Sequence, residues 1–217
     1  MFHLIKKDIL MQKKALKLSI LLMVFFTFTL ANIGQVGFLV SVLAVTYQLA
    51  LGASSLEDKN NSDKILISLP IRKSTIVLSK YASIYVYAAF AILIYYVVYL
   101  VIKLVNAPLD ISFNLTGILG AAVTVTLFCS ISFPLIFKYG YLKSRMANMV
   151  IFFVFIFGGS GLFKFLNQGP ASWNQSIIAF LQNATETGAI ALLICVLLLI
   201  LILSYTVSLH FYQKREF

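Results

Sequence analysis

Six stretches of this chain approach or reach the length of apolar sequence that crosses a lipid bilayer, and no other feature restricts its fold as strongly. A spanning helix needs roughly 20 predominantly apolar residues. The stretches lie at about 18–33, 36–54, 81–105, 115–137, 147–166 and 188–211. Hydrocarbon offers no partner to a backbone N–H or C=O, so segments of this length span as helices. The fold class read from the sequence is therefore all-α: a single integral membrane domain over 1–217 with six transmembrane helices. Composition agrees. Hydrophobic residues make up 61% and charged residues only 11%, against about 25% charged in a soluble domain. A soluble enzyme and a disordered chain are both excluded.

The charges that remain are distributed unevenly. There are 17 Lys and Arg against 7 Asp and Glu, a net charge of +10. Lys6, Lys7, Lys13, Lys14 and Lys17 precede the first stretch. Lys59, Lys64, Arg72, Lys73 and Lys80 separate the second from the third. Lys138, Lys143 and Arg145 follow the fourth, and Lys214 and Arg215 close the chain. With six spans these segments share one side, leaving only Lys103 and Lys164 on the other. The positive-inside rule then places both termini in the cytoplasm. The surplus belongs to the membrane surface, and no nucleic-acid partner is expected. Residues 1–17 interleave Phe2, Leu4, Ile5, Ile9, Leu10 and Leu16 with lysines, the pattern of an amphipathic helix lying in the inner interface.

Chemistry of its own is not expected in this chain. It has no GxxxxGK[ST] phosphate loop, no HExxH and no CxxC, and His3 and His210 are far apart. Gly158-Gly159-Ser160-Gly161 has the form of an intramembrane-protease nucleophile motif. Its serine and His210 nevertheless fall about 15–20 Å apart in depth, so no dyad forms; the glycines instead permit a helix break or close packing near the outer surface. Apart from Lys103 and Lys164 at two span ends, the spans carry no Asp, Glu, Lys or Arg, which argues against ion coupling. No catalytic residue, metal or cofactor is expected. The energy source must lie outside the chain.

The segment 55–80 is the longest polar feature. Asp63–Leu69 mixes charged ends with Ile65, Leu66 and Ile67 and suits a short helix; Pro70 breaks it. Ser74 is placed to cap the helix that continues into the third span. Here Glu57-Asp58-Lys59-Asn60-Asn61, Leu69-Pro70-Ile71-Arg72-Lys73 and Ile76-Val77-Leu78-Ser79-Lys80-Tyr81 resemble the loop of ABC type-2 exporter permeases. The lead Leu4-Ile5-Lys6-Lys7-Asp8 is similar to that of small firmicute members that export amphipathic peptides, such as phenol-soluble-modulin exporters and lantibiotic-immunity permeases.

The resemblance implies a permease in a bacterial plasma membrane, paired with a second permease copy, with ATP bound only by a separate ATP-binding-cassette ATPase. It further implies a coupling helix within about 58–69 that docks on that ATPase. Leu66, Ile67 and Leu69 would be its apolar anchors and Asp63, Lys64, Arg72 and Lys73 its polar rim. Glu57 either pairs with a base such as Lys80 or remains a solvated surface charge. Tyr85, Tyr95 and Tyr99 either line a path for an amphipathic peptide or simply pack. The segment 167–187, with Trp173, reads as an outer lid. The alternative function is a membrane sensor or assembly protein that transports nothing.

Overall fold

Helices in this chain run on through charged residues, and glycine marks two of the junctions between them, Gly34 and Gly140. The computed structural model describes residues 2–60, 62, 71–105, 113–168 and 186–214; the side chains of 159–168 and most of those of 186–190 are outside that description. Helix α1 spans Phe2–Met11 and α2 Lys13–Thr29, with Gln12 alone between them. A short 3-10 turn at Ala31–Ile33 leads to Gly34, whose φ of 61° and ψ of −127° suit only glycine. Then follow α3 (Gln35–Lys59), α4 (Lys73–Leu104), α5 (Leu115–Tyr139), α6 (Tyr141–Gln168) and α7 (Glu186–Lys214). No strand occurs among the described residues.

Five of these helices are long and apolar enough to cross a membrane: α3, α4, α5, and the stretches Tyr141–Gly158 and Ala191–Lys214 of α6 and α7. The first expected span corresponds to α2, which starts five residues early at Lys13 and, at 17 residues, is shorter than the rest. The α2–α3 turn is tight. A Cβ on Gly37 would lie 2.4 Å from the Leu30 carbonyl oxygen, so only glycine lets the two helices approach there.

Helix α3 is the axis of the bundle, touching α1, α2, α4, α5 and α6. It is apolar all round, as a helix enclosed on every side must be, and Phe38, Val42, Val45 and Leu49 are fully buried. Phe128 of α5 and Tyr47 of α3 meet edge to face, and Phe152 of α6 stacks on Tyr47 at 4.5 Å. Helix α7 lies along α5 and α4 at the periphery, with most of its apolar residues facing outward.

Several expected boundaries move. The polar segment 55–80 is partly helical: α3 continues to Lys59, and the helix that leads into the third span begins at Lys73, close to the expected start at Ser74. Ser74 does not cap α4. Arg72 occupies the capping position without a side-chain bond, and Ser74 lies inside the helix. The expected loop between spans four and five reduces to Gly140, with φ 79°, so Lys138, Lys143 and Arg145 all sit on helices. Nor does the glycine run break α6, which passes through Gly158–Gly161 as helix. Most of 167–187, including Trp173, lies outside the described residues.

Many hydroxyl side chains within the bundle are satisfied locally. Thr27, Ser41, Thr124, Thr126 and Ser130 each donate to the carbonyl one turn back, which conceals the hydroxyl from lipid. One case links helices. Pro134, inside α5, has no N–H, so the Ser130 carbonyl lacks its usual donor four residues on. Ser204 of α7 donates to that carbonyl at 2.7 Å. Tyr81 of α4 then lies 2.6 Å from Ser204 Oγ and 2.9 Å from Ser208 Oγ. The Ser204 proton is already given to Ser130, so Tyr81 donates to Ser204 and accepts from Ser208. Proline and serine are thereby coupled. Ser204→Ala should lower stability by about 1–3 kcal/mol through the orphaned carbonyl. In a Pro134→Ala background, which restores the internal donor, the same change should cost less than half as much. Thermal denaturation of the four variants in detergent measures the coupling; equal effects in both backgrounds would refute it.

Candidate functional site

Two carboxylates and two ammonium groups converge where α1, α3 and α4 meet. Lys80 projects inward from the first turns of α4 and is buried. Its Nζ lies 2.6 Å from Glu57 Oε2 of α3 and donates to Asp8 Oδ2 of α1 at 3.0 Å. Lys7, the partly exposed neighbour of Asp8, donates to Glu57 Oε1 and lies 3.4 Å from Asp8 Oδ1. The cluster is formally neutral. That is the condition on which charges leave water, since an unpaired buried ion costs several kcal/mol. Burial nevertheless raises the pKa of Asp8 from its ordinary value; the Lys80 ammonium offsets this only in part.

The solvated reading of Glu57 is thus wrong and the pairing with Lys80 is observed. Asp8, to which the sequence assigned no separate role, is the larger surprise. It is buried, and four residues on Gln12 continues the same face inward, donating from Nε2 to the Tyr87 hydroxyl at 3.2 Å. A usable signal existed: Asp8 and Gln12 are spaced i, i+4, and Asp8 is the only acid among five lysines in residues 1–17.

The other half of the acidic pair faces elsewhere. Asp58 Oδ2 accepts the backbone N–H of Leu142 at 3.0 Å, in the first turn of α6. A carboxylate there satisfies an otherwise unpaired donor and sits at the positive end of the helix dipole. Glu57 and Asp58 therefore tie the end of α3 to α1, α4 and α6 together. A cavity of about 30 Å³ lies beside the cluster among Ser54, Glu57, Ile76, Lys80 and Phe137. That is room for water, not for a substrate.

The residues expected to dock on an ATPase are only partly in view. Asp63, Lys64, Leu66, Ile67 and Leu69 lie outside the described residues. Arg72 is exposed at the start of α4. Lys73 donates to the Gln213 carbonyl at 3.4 Å, placing a cation at the negative end of α7. Tyr95 and Tyr99 share a ring contact with Phe113, and Tyr85 lies apart from them. Tyr95 is buried against Phe38 at 4.6 Å and Tyr99 stacks near Phe113, while Tyr85 is exposed and bonds Thr126 Oγ1 at 3.2 Å. Among the described residues no group of His, Cys, Asp and Glu is arranged to hold a metal.

Residues 3–213 match the family described as ABC-2 family transporter protein. With nearly the whole chain matched, the chain belongs to that family. It is a multi-pass membrane protein, the permease component of an ATP-binding-cassette transporter and not its ATPase, and it works with an ATP-binding-cassette ATPase subunit. No curated protein and no solved structure matches the chain.

The cluster makes its own prediction. Lys80→Met leaves two buried carboxylates sharing Lys7 and should lower stability by about 3–5 kcal/mol. Adding Asp8→Asn removes one stranded charge and should recover part of that loss. Thermal melting of the detergent-solubilised protein reads both; a double variant no more stable than the single would show that charge balance is not what holds the cluster.

Proposed function

We propose that this permease exports amphipathic peptides, acting as a homodimer with both termini in the cytoplasm, as its small firmicute relatives-by-resemblance do. It engages two ATPase chains through the segment between α3 and α4. The observation supporting the docking assignment is that this segment is bracketed by fixed ends: Glu57 at the close of α3 and Lys80 near the start of α4 form one ion-paired cluster. A segment with anchored ends passes a push from its partner into the helices instead of absorbing it. Leu66, Ile67 and Leu69 serve as apolar anchors, with Asp63, Lys64, Arg72 and Lys73 around them. ATP-driven closure of the ATPase pair then switches the spans between inward- and outward-facing packings. Tyr85, Tyr95 and Tyr99 offer hydroxyls in apolar surroundings to an amphipathic substrate once the spans rearrange.

Leu66→Asp or Leu69→Asp should weaken co-purification of the ATPase at least tenfold, the order expected for an interface anchor worth about 2 kcal/mol. Retention of full ATPase binding and unchanged hydrolysis in both variants would defeat the docking assignment and favour a non-transporting role. Orientation has a separate check. In a variant lacking Cys195, which is exposed, single cysteines at Asn61 and Trp173 should be labelled by an impermeant reagent from opposite sides of intact membranes. Labelling from one side would overturn the topology.

A further inference from the structure

Helix α1 has two faces, and the protein accounts for only one. Toward α3 and α4 it fully buries a single residue of its ten, Asp8, with Gln12 following just beyond its end. Leu4 and Ile9 pack, partly buried, against the core, but the fully buried contact is charged, and burial raises the Asp8 pKa despite Lys80. Ion pairs withdrawn from water return little net stability, and a ten-residue helix is marginal by itself. The inward contact orients α1 but fully buries none of its apolar residues.

The outward face carries what is missing. Phe2 is 74% exposed, Leu10 48% and Leu18 51%, and between them Lys6, Lys13, Lys14 and Lys17 are exposed. None of these four lysines pairs with a described acid; the ion pairs of this region involve Lys7 and Lys80. The segment's one acid, Asp8, points inward, so the outer face of residues 2–18 bears four cations and no anion. Apolar side chains set among uncompensated lysines, on a helix abutting membrane spans, complement an anionic lipid surface. An acidic protein face would complement the lysines but has no reason to meet Phe2, Leu10 and Leu18 as well.

We propose that the α1–α2 elbow is a binding surface for anionic phospholipid, and that headgroup binding by Lys6, Lys13, Lys14 and Lys17 seats α1 against the Lys80 cluster. Lipid charge thereby acts on Asp8, and through it on the fixed ends of the segment between α3 and α4. The test uses the full-length protein in nanodiscs of phosphatidylcholine, with or without phosphatidylglycerol. Amide hydrogen exchange is followed over Phe2–Met11, with α4 as the internal reference. Phosphatidylglycerol should slow exchange in α1 roughly tenfold or more, and high salt should reverse the effect. Replacing all four lysines by Gln should abolish the difference, and replacing them by Arg should preserve it. Equal exchange in the two lipids, a Gln variant that still responds, or an Arg variant that does not would each overturn the proposal. So would protection that appears only when ATPase is added, whatever the lipid, because the lysines would then belong to a protein interface. These readouts need neither the ATPase nor transport, so the proposal stands or falls separately from the docking assignment.

Discussion

A lysine ammonium held between two carboxylates, out of water, sets the arrangement of the polar end of this bundle. Lys80 can stay charged there only with Glu57 and Asp8 at hand, and those acids come from two other helices. Each of the three elements is constrained by the other two. The apolar packing of α3 against α2, α4 and α5 supplies most of the burial, but apolar contacts are undirected and tolerate sliding. Charge pairing at 2.6 and 3.0 Å does not. It fixes the register of α3 and α4 near the end of the one and the start of the other.

The same end shows how a short acidic pair organises several helices. Glu57 and Asp58 are adjacent on α3 and so point about 100° apart around its axis. One reaches the α1–α4 cluster and the other reaches the first turn of α6. Lys73 completes the arrangement from α4 by contacting the last turn of α7. Helix termini near the membrane surface, where unsatisfied N–H and C=O groups collect, are thus served by side chains of neighbouring helices.

The membrane character of the chain and the approximate centre of each apolar helix were legible in the sequence, because hydropathy reads burial in lipid directly. The boundaries were not, and the reason is physical. Lys73, Lys80, Lys138, Lys143 and Arg145 look like loop residues, yet lysine and arginine are good helix formers, and a helix need not end where hydrocarbon does. Two of the junctions between helices fall instead at Gly34 and Gly140. Of the cluster, the Glu57–Lys80 pair was open to anticipation, since both flank one segment. Asp8 was not recognised, because a 3.6-residue pattern of leucine and lysine gives a face but not the neighbour that face will meet. Tyr95 illustrates the converse: hydropathy does not place this tyrosine, whereas the structure puts its ring against Phe38 and Phe113.

Gly140 alone separates α5 from α6, and Asp58 holds the first turn of α6 to α3. A link of one residue leaves no slack. If α5 tilts, the near end of α6 must follow it as a hinge leaf follows its pin, and the freedom that remains is rotation about that pin. Mechanically, α5 and α6 then form a scissor with its pivot at the charged end of the bundle, so small displacements at Asp58 become large ones at the far ends of the two helices.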